Sequence, residues 1–177
     1  MQKLQDYISA NQPLYLYQQP MFMLTVSVVL IEDNGVIVLE DNYKTEFDPI
    51  DPGRHPDTFV AYRFPGGLVK ASQETIQFSA VRQVKEQTGI VLKKDALIPV
   101  DFRSSPERSK EGNVVDIGMV CIIDKESIDH QKAKWIHIDF ENKKLDYSKN
   151  SHVEASWYMD HGVLLERAID VVMMIKE

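Results

Sequence analysis

The plainest pattern along the chain is a nearly unbroken apolar run from Leu24 to Ile31, rich in β-branched residues, which predicts a strand buried on both faces. Asp33-Asn34-Gly35 reads as a hairpin turn, and Val36 to Leu39 as the returning strand. From Glu40 to Thr58 the apolar period stops among Pro49, Pro52, Gly53 and Pro56, so a long surface loop is expected. Within it Arg54 and His55 are candidates to touch a ligand, weighed against solvated loop residues. Phe59 to Phe64 alternates as a strand that delivers a glycine turn at Gly66 and Gly67.

The spacing after that turn predicts a helix. Ser72 is placed to cap it, Glu74 to sit in its first turn, and Gly89 to end it in the left-handed conformation. Residues three and four apart are helix neighbours, so Gln77, Ala80, Val81, Val84 and Thr88 share a core side. Gln83, Glu86 and Gln87 share another side, free for chemistry.

Leu97 to Arg103 and Asn113 to Ile123 read as two further strands, and Val163 to Ile175 as an amphipathic helix opened by Tyr158-Met-Asp160-His161. Near the N-terminus, Leu4 to Ser9 is read as a short helix and Leu14 to Tyr17 as an aromatic lead-in that packs rather than stacks on a ligand. The organisation expected is one domain over 1–177, with a lead-in at 1–21 and insertions at 40–58 and 140–153.

Composition narrows the classes. A chain of 177 residues with 44% hydrophobic content supports one well-buried core. A single cysteine, Cys121, excludes an internal disulfide and reads as a small core residue in an apolar strand. No secretory leader pattern or membrane-length apolar run is read, so a cytoplasmic protein without membrane contact is expected. The formal net charge is −7 with the 20 basic residues dispersed, which disfavours direct nucleic-acid binding. No zinc-type histidine spacing, nucleophile triad, dinucleotide fingerprint or phosphate-loop lysine occurs.

The stretch Gly67, Glu74, Arg82, Val84, Glu86, Gly89 and Ile90 resembles the box of the Nudix hydrolase family: glycine, five residues, glutamate, seven residues, then Arg-Glu-aliphatic-any-Glu-Glu-any-Gly-aliphatic. Here six residues separate Gly67 from Glu74, and two of the helix glutamates are replaced by Gln83 and Gln87. Pro106, Arg108 and Gly112, ahead of the strand from Val114, are similar to the ADP-ribose pyrophosphatase-like branch and to Nudix-related regulators of NAD metabolism. Ser105, Ser109 and Glu111 depart from that pattern.

The resemblance implies an α/β/α sandwich with a mixed sheet between the box helix and the closing helix, in which Ala133 to Ile138 is similar to a further strand of the family. It places catalytic and metal-holding roles on Gln83, Glu86 and Gln87, with Arg82 orienting them, Glu74 bracing the loop, and Gly66, Gly67, Arg103 and Arg108 about the ligand. Cleaving a diphosphate needs dications held by hard, anionic oxygens. Two amides remove two charges, so Mg²⁺ or Mn²⁺ binding is expected to be weakened, with Glu86 as the residual ligand. Glu107, Glu111, Asp116 and Glu154 are compensating acids or ordinary surface, and His161 is read as capping or packing the last helix.

Three functions follow. One is a domain that binds a nucleoside diphosphate-X ligand with little or no hydrolysis. The others are a working Mg²⁺-dependent pyrophosphohydrolase and a protein-interaction domain. A homodimer is compatible with each. The chain ends after the closing helix, which also argues against a DNA-binding role.

Overall fold

The computed structural model describes residues 23–44, 58–70, 73–104, 114–124, 133–149 and 156–176. The expected helix at Leu4 to Ser9, the lead-in at Leu14 to Tyr17, and Arg54, His55, Glu107, Arg108, Glu111 and Glu154 lie outside these residues.

The apolar run forms β1 (Met23–Glu32), and the Asp33-Asn34-Gly35 turn returns the chain as β2 (Gly35–Lys44). Asp33 takes a left-handed φ of 49°, a conformation aspartate tolerates in turns. β2 continues five residues into the stretch read as loop, because Leu39 to Lys44 pair antiparallel with β3 (Thr58–Arg63). Backbone pairing across a distant strand supplied what the local pattern lacked. A short β4 (Gly66–Leu68) pairs with the first half of β1, aligning Thr25 with Leu68 and Ser27 with Gly66.

After helix α1 (Ile76–Thr88) come β5 (Ile98–Arg103) and β6 (Val114–Ile122). β6 runs parallel to β1 along its whole length, opposing Thr25 to Asp116 and Val29 to Val120. β7 (Lys134–Asp139) pairs with β2 and forms a hairpin with β8 (Lys144–Leu145), so the polar stretch around Lys144 is ordered, with Leu145 buried. β9 (Ser156–Trp157) lies parallel to β3, and α2 (His161–Lys176) closes the described chain. The strand path is β5-β6-β1-β2-β3-β9, with β4, β7 and β8 attached beside it.

Strand alternation divides the core. Val26, Val28 and Leu30 turn toward Ala80 and Val84 of α1, whereas Val29 and Ile31 turn toward Leu164, Leu165, Ala168, Ile169 and Val172 of α2. β1 is therefore buried on both faces, and the architecture is the expected α/β/α sandwich around a mixed sheet. Gly118 lets α2 approach: a Cβ there would stand 2.3 Å from Leu164 Cδ1. Cys121 is buried, and burial raises its thiol pKa. Among the described residues no helix is long and apolar enough to cross a membrane.

Candidate functional site

The glycine turn and α1 build the first half of the site. Thr75, rather than Ser72, is the N-cap: its hydroxyl accepts the Phe78 N–H at 3.3 Å, and Ser72 lies outside the described residues. Glu74 consequently precedes the helix instead of occupying its first turn. Gly89 ends the helix at φ 80°, its N–H bonded to Lys85 O. Gln77 is exposed rather than on the core side, which is formed by Ser79, Ala80, Val84 and Thr88. Starting the helix at Ile76 sets which positions face the sheet.

Arg82 and Glu74 form a two-pronged pair. Arg82 Nε donates to Glu74 Oε2 at 2.9 Å and Nη2 to Oε1 at 2.6 Å, while the Lys70 N–H donates to Oε1 at 3.0 Å. The Arg82 side chain, through its hydrogen bonds, and then the Lys70 amide hold the Glu74 pKa down to about 2. Glu74 in turn raises the pKa of Arg82. Arg82 Nη1 also reaches Glu86 at 3.1 Å, and the Glu86 side chain is 56% exposed.

Gln87 and Gln83 sit beside this brace. Gln87 Oε1 accepts from Gly66 N at 3.1 Å and Arg63 Nη1 at 3.0 Å; Gln87 Nε2 donates to Gly66 O and to Gln83 Oε1, each at 2.8 Å. Gln83 Nε2 donates to Leu68 O at 3.4 Å. These partners fix which end of each amide is nitrogen. Arg63 is also ion-paired with Asp41. Gly66 and Gly67 permit the close approach: a Cβ on Gly66 would stand 2.1 Å from Val26 O, and one on Gly67, where φ is 153°, 2.8 Å from Gln83 Nε2.

The second half comes from long-range pairing. A cleft of about 320 Å³ opens between β4 and the start of α2, lined among others by Thr25, Ser27, Arg63, Gln87, Asp116 and His161. Asp116, read as ordinary surface, is 1% exposed. It accepts from Thr25, Ser27 and Arg103. Arg103, expected about the ligand, is buried and also donates to Asp160. His161 is buried, accepts the Phe64 N–H through Nδ1 at 2.9 Å, and stacks on Phe64, tying α2 to the strand that enters the glycine turn.

Arg82, Gln83, Glu86, Gln87, Glu74, Gly66 and Gly67 are thus brought together, and Asp116 lines the cleft with Arg103 paired to it. Sequence reasoning missed Thr25, Ser27, Arg63, Asp160 and the depth of Asp116. The available signal was Asp116 interrupting an apolar strand, with Thr25 and Ser27 interrupting another at one parity. Among the described residues no three histidine, cysteine or acidic side chains converge as a metal-binding group.

The architecture is the Nudix fold. A MutT/Nudix family protein from Enterococcus faecalis superposes with a TM-score of 0.61 at 20% identity, covering 93% of this chain and 69% of the other. The Nudix domain of Shewanella oneidensis NrtR, solved as a complex with ADP ribose, matches with a TM-score of 0.57 at 16% identity, covering 91% and 98%. In sequence the chain is similar to an ADP-ribose pyrophosphatase of Methanocaldococcus jannaschii, 40% identical over 63 residues. That match takes in 36% of this chain and spans about a third, 34%, of the relative's length. No family model matches the sequence.

Proposed function

We propose that this protein binds a nucleoside diphosphate-X ligand of the ADP-ribose type in the cleft beside the glycine turn, with weak or no hydrolysis and without needing a dication. The observation that carries this reading is the paired amide network of Gln83 and Gln87. The Gln87 NH₂ stands between Gly66 O and Gln83 Oε1, and the Gln83 NH₂ faces Leu68 O. Carboxylates at these two positions would set anionic oxygens against carbonyl oxygens, an arrangement that needs a proton or a cation between them. The amide hydrogens neutralise those contacts themselves.

The residues do not fit Mg²⁺ or Mn²⁺. Such ions take several hard oxygens, preferably anionic. Both amide oxygens already accept hydrogen bonds, and Glu86 is exposed and paired with Arg82. What the chain's own residues do is bind and orient. Arg82 and Glu74 brace the glycine turn, Gln87 holds Gly66 to α1, and Arg63 lies at the cleft edge toward the ligand's phosphates. The ADP-ribose class is supported by the sequence similarity to an ADP-ribose pyrophosphatase and by the ADP ribose complex of a structural neighbour. Small-molecule recognition rather than nucleic-acid binding agrees with the net charge of −7.

The test is AMP release from ADP-ribose in Mg²⁺ or Mn²⁺, run beside a Gln83→Glu/Gln87→Glu variant. Little or no turnover by the native chain is expected, together with ADP-ribose binding by calorimetry. Robust metal-dependent AMP release by the native chain would overturn the reading in favour of a working pyrophosphohydrolase. Absence of nucleotide binding would favour an interaction domain.

A further inference from the structure

Thr25 and Ser27 lie two positions apart on β1 and so project from one face of the strand. Both spend their single hydroxyl proton on one atom, Asp116 Oδ1, at 2.6 Å and 3.1 Å. Thr25 Oγ1 also lies 3.4 Å from Val115 O. The other carboxylate oxygen of Asp116 takes Arg103 Nη2, and Arg103 Nη1 is held by Asp160 Oδ1 at 2.8 Å and the Asp160 carbonyl at 2.9 Å. Asp116 and Arg103 are buried and ion-paired, and the arrangement is drawn from β1, β5, β6 and the turn before α2.

A hydroxyl has one proton and two lone pairs. With both protons directed at Asp116, Thr25 and Ser27 offer the cleft acceptors only. We infer that this end of the cleft is a sugar subsite: it takes an uncharged, donor-rich group, the vicinal hydroxyls of a ribosyl unit, and rejects a phosphate. A diol brings a proton for each of the two oxygens, and its carbon skeleton meets the apolar wall of Met23, Val114 and Met159. A phosphate would set its own acceptor oxygens against two acceptors beside a buried carboxylate, leaving them unpaired. The guanidinium behind this end does not offset this, since Arg103 is already held by Asp116 and Asp160. The inference rests on the ligand class proposed above and orients that ligand, with the X-group ribose on β1 and the diphosphate toward Gly66 and Arg63.

The experiment is calorimetry of the full chain with ADP-ribose and with ADP, which lacks the second ribose. The native protein is expected to prefer ADP-ribose by about tenfold, the worth of two ordinary hydrogen bonds. Thr25→Val/Ser27→Ala should abolish that preference, and Thr25→Ser, which keeps the acceptor, should retain it. Equal affinity of the native protein for the two nucleotides, or an undiminished preference in a folded Val/Ala variant, overturns the subsite. If the double variant does not fold, the native comparison and Thr25→Ser decide. If ADP-ribose does not bind at all, the nucleotide reading fails alone. The subsite is then read from backbone amide shifts of β1 and β4 during titration with D-ribose and, separately, inorganic phosphate. Shifts with ribose and none with phosphate support it; the reverse, or none with ribose, overturns it.

Discussion

Gln87 ties the glycine turn to the box helix, since its one amide bonds Gly66 twice, Gln83 and Arg63. Replacing it with glutamate keeps the size and removes the donor hydrogens. Gln87→Glu is therefore expected to lower stability by roughly 1–3 kcal/mol in EDTA, the cost of buried polar atoms left unpaired. Mn²⁺ should recover part of that loss by binding only the folded state. Urea unfolding of both proteins, with EDTA and with Mn²⁺, measures this; equal stability in EDTA would show that the amide hydrogens are dispensable. Glu74 makes a separate, pH-dependent contribution. Its folded pKa is held at about 2, below the ordinary value of 4.5, so the stabilisation is fully present above about pH 4.5 and is lost as pH falls toward 2. Glu74→Gln should flatten the acid limb of the unfolding midpoint against pH and leave its slope above pH 4.5 unchanged.

Among the elements, β4 and α1 carry the site, and both depend on single backbone positions. Gly66→Ala would drive a methyl against Val26 O, which is backbone and has no rotamer to move. The expected result is loss of the β1–β4 pairing with a cost of at least about 1–3 kcal/mol, read from amide exchange at Thr25 to Ser27. Thr75→Ala removes the cap of α1 and should cost about 1 kcal/mol in denaturant unfolding. These elements were legible to different degrees. The strand at Leu24 to Ile31, the turn after it and the Gly89 stop are written in local pattern. The helix start was misplaced because Ser72 and Thr75 are both good caps, and only the packing of Ala80 and Val84 on the sheet decides between them. The far half of β2 was hidden because its order comes from pairing with β3 across the 45–57 segment.

For the whole molecule, the sandwich was legible because β1 is apolar on both faces and each helix has one apolar stripe. The site was legible only along the box helix. Gln83, Glu86, Gln87, Arg82 and Glu74 are near in sequence, and helical spacing alone places most of them. The burial of Asp116 and its pairing with Arg103 were not legible, because they depend on β6 lying parallel to β1, a partnership across about 90 residues that no local period announces. That register creates an acceptor-lined cleft beside an amide-locked box, and the ligand proposed for it is expected to bind there without a dication. The most direct measurement is calorimetry of ADP-ribose with the native chain in EDTA and in excess Mg²⁺. The same dissociation constant in both is predicted, with no heat of turnover in Mg²⁺. Binding that appears only with the metal, or that gives way to sustained heat of hydrolysis, would contradict it.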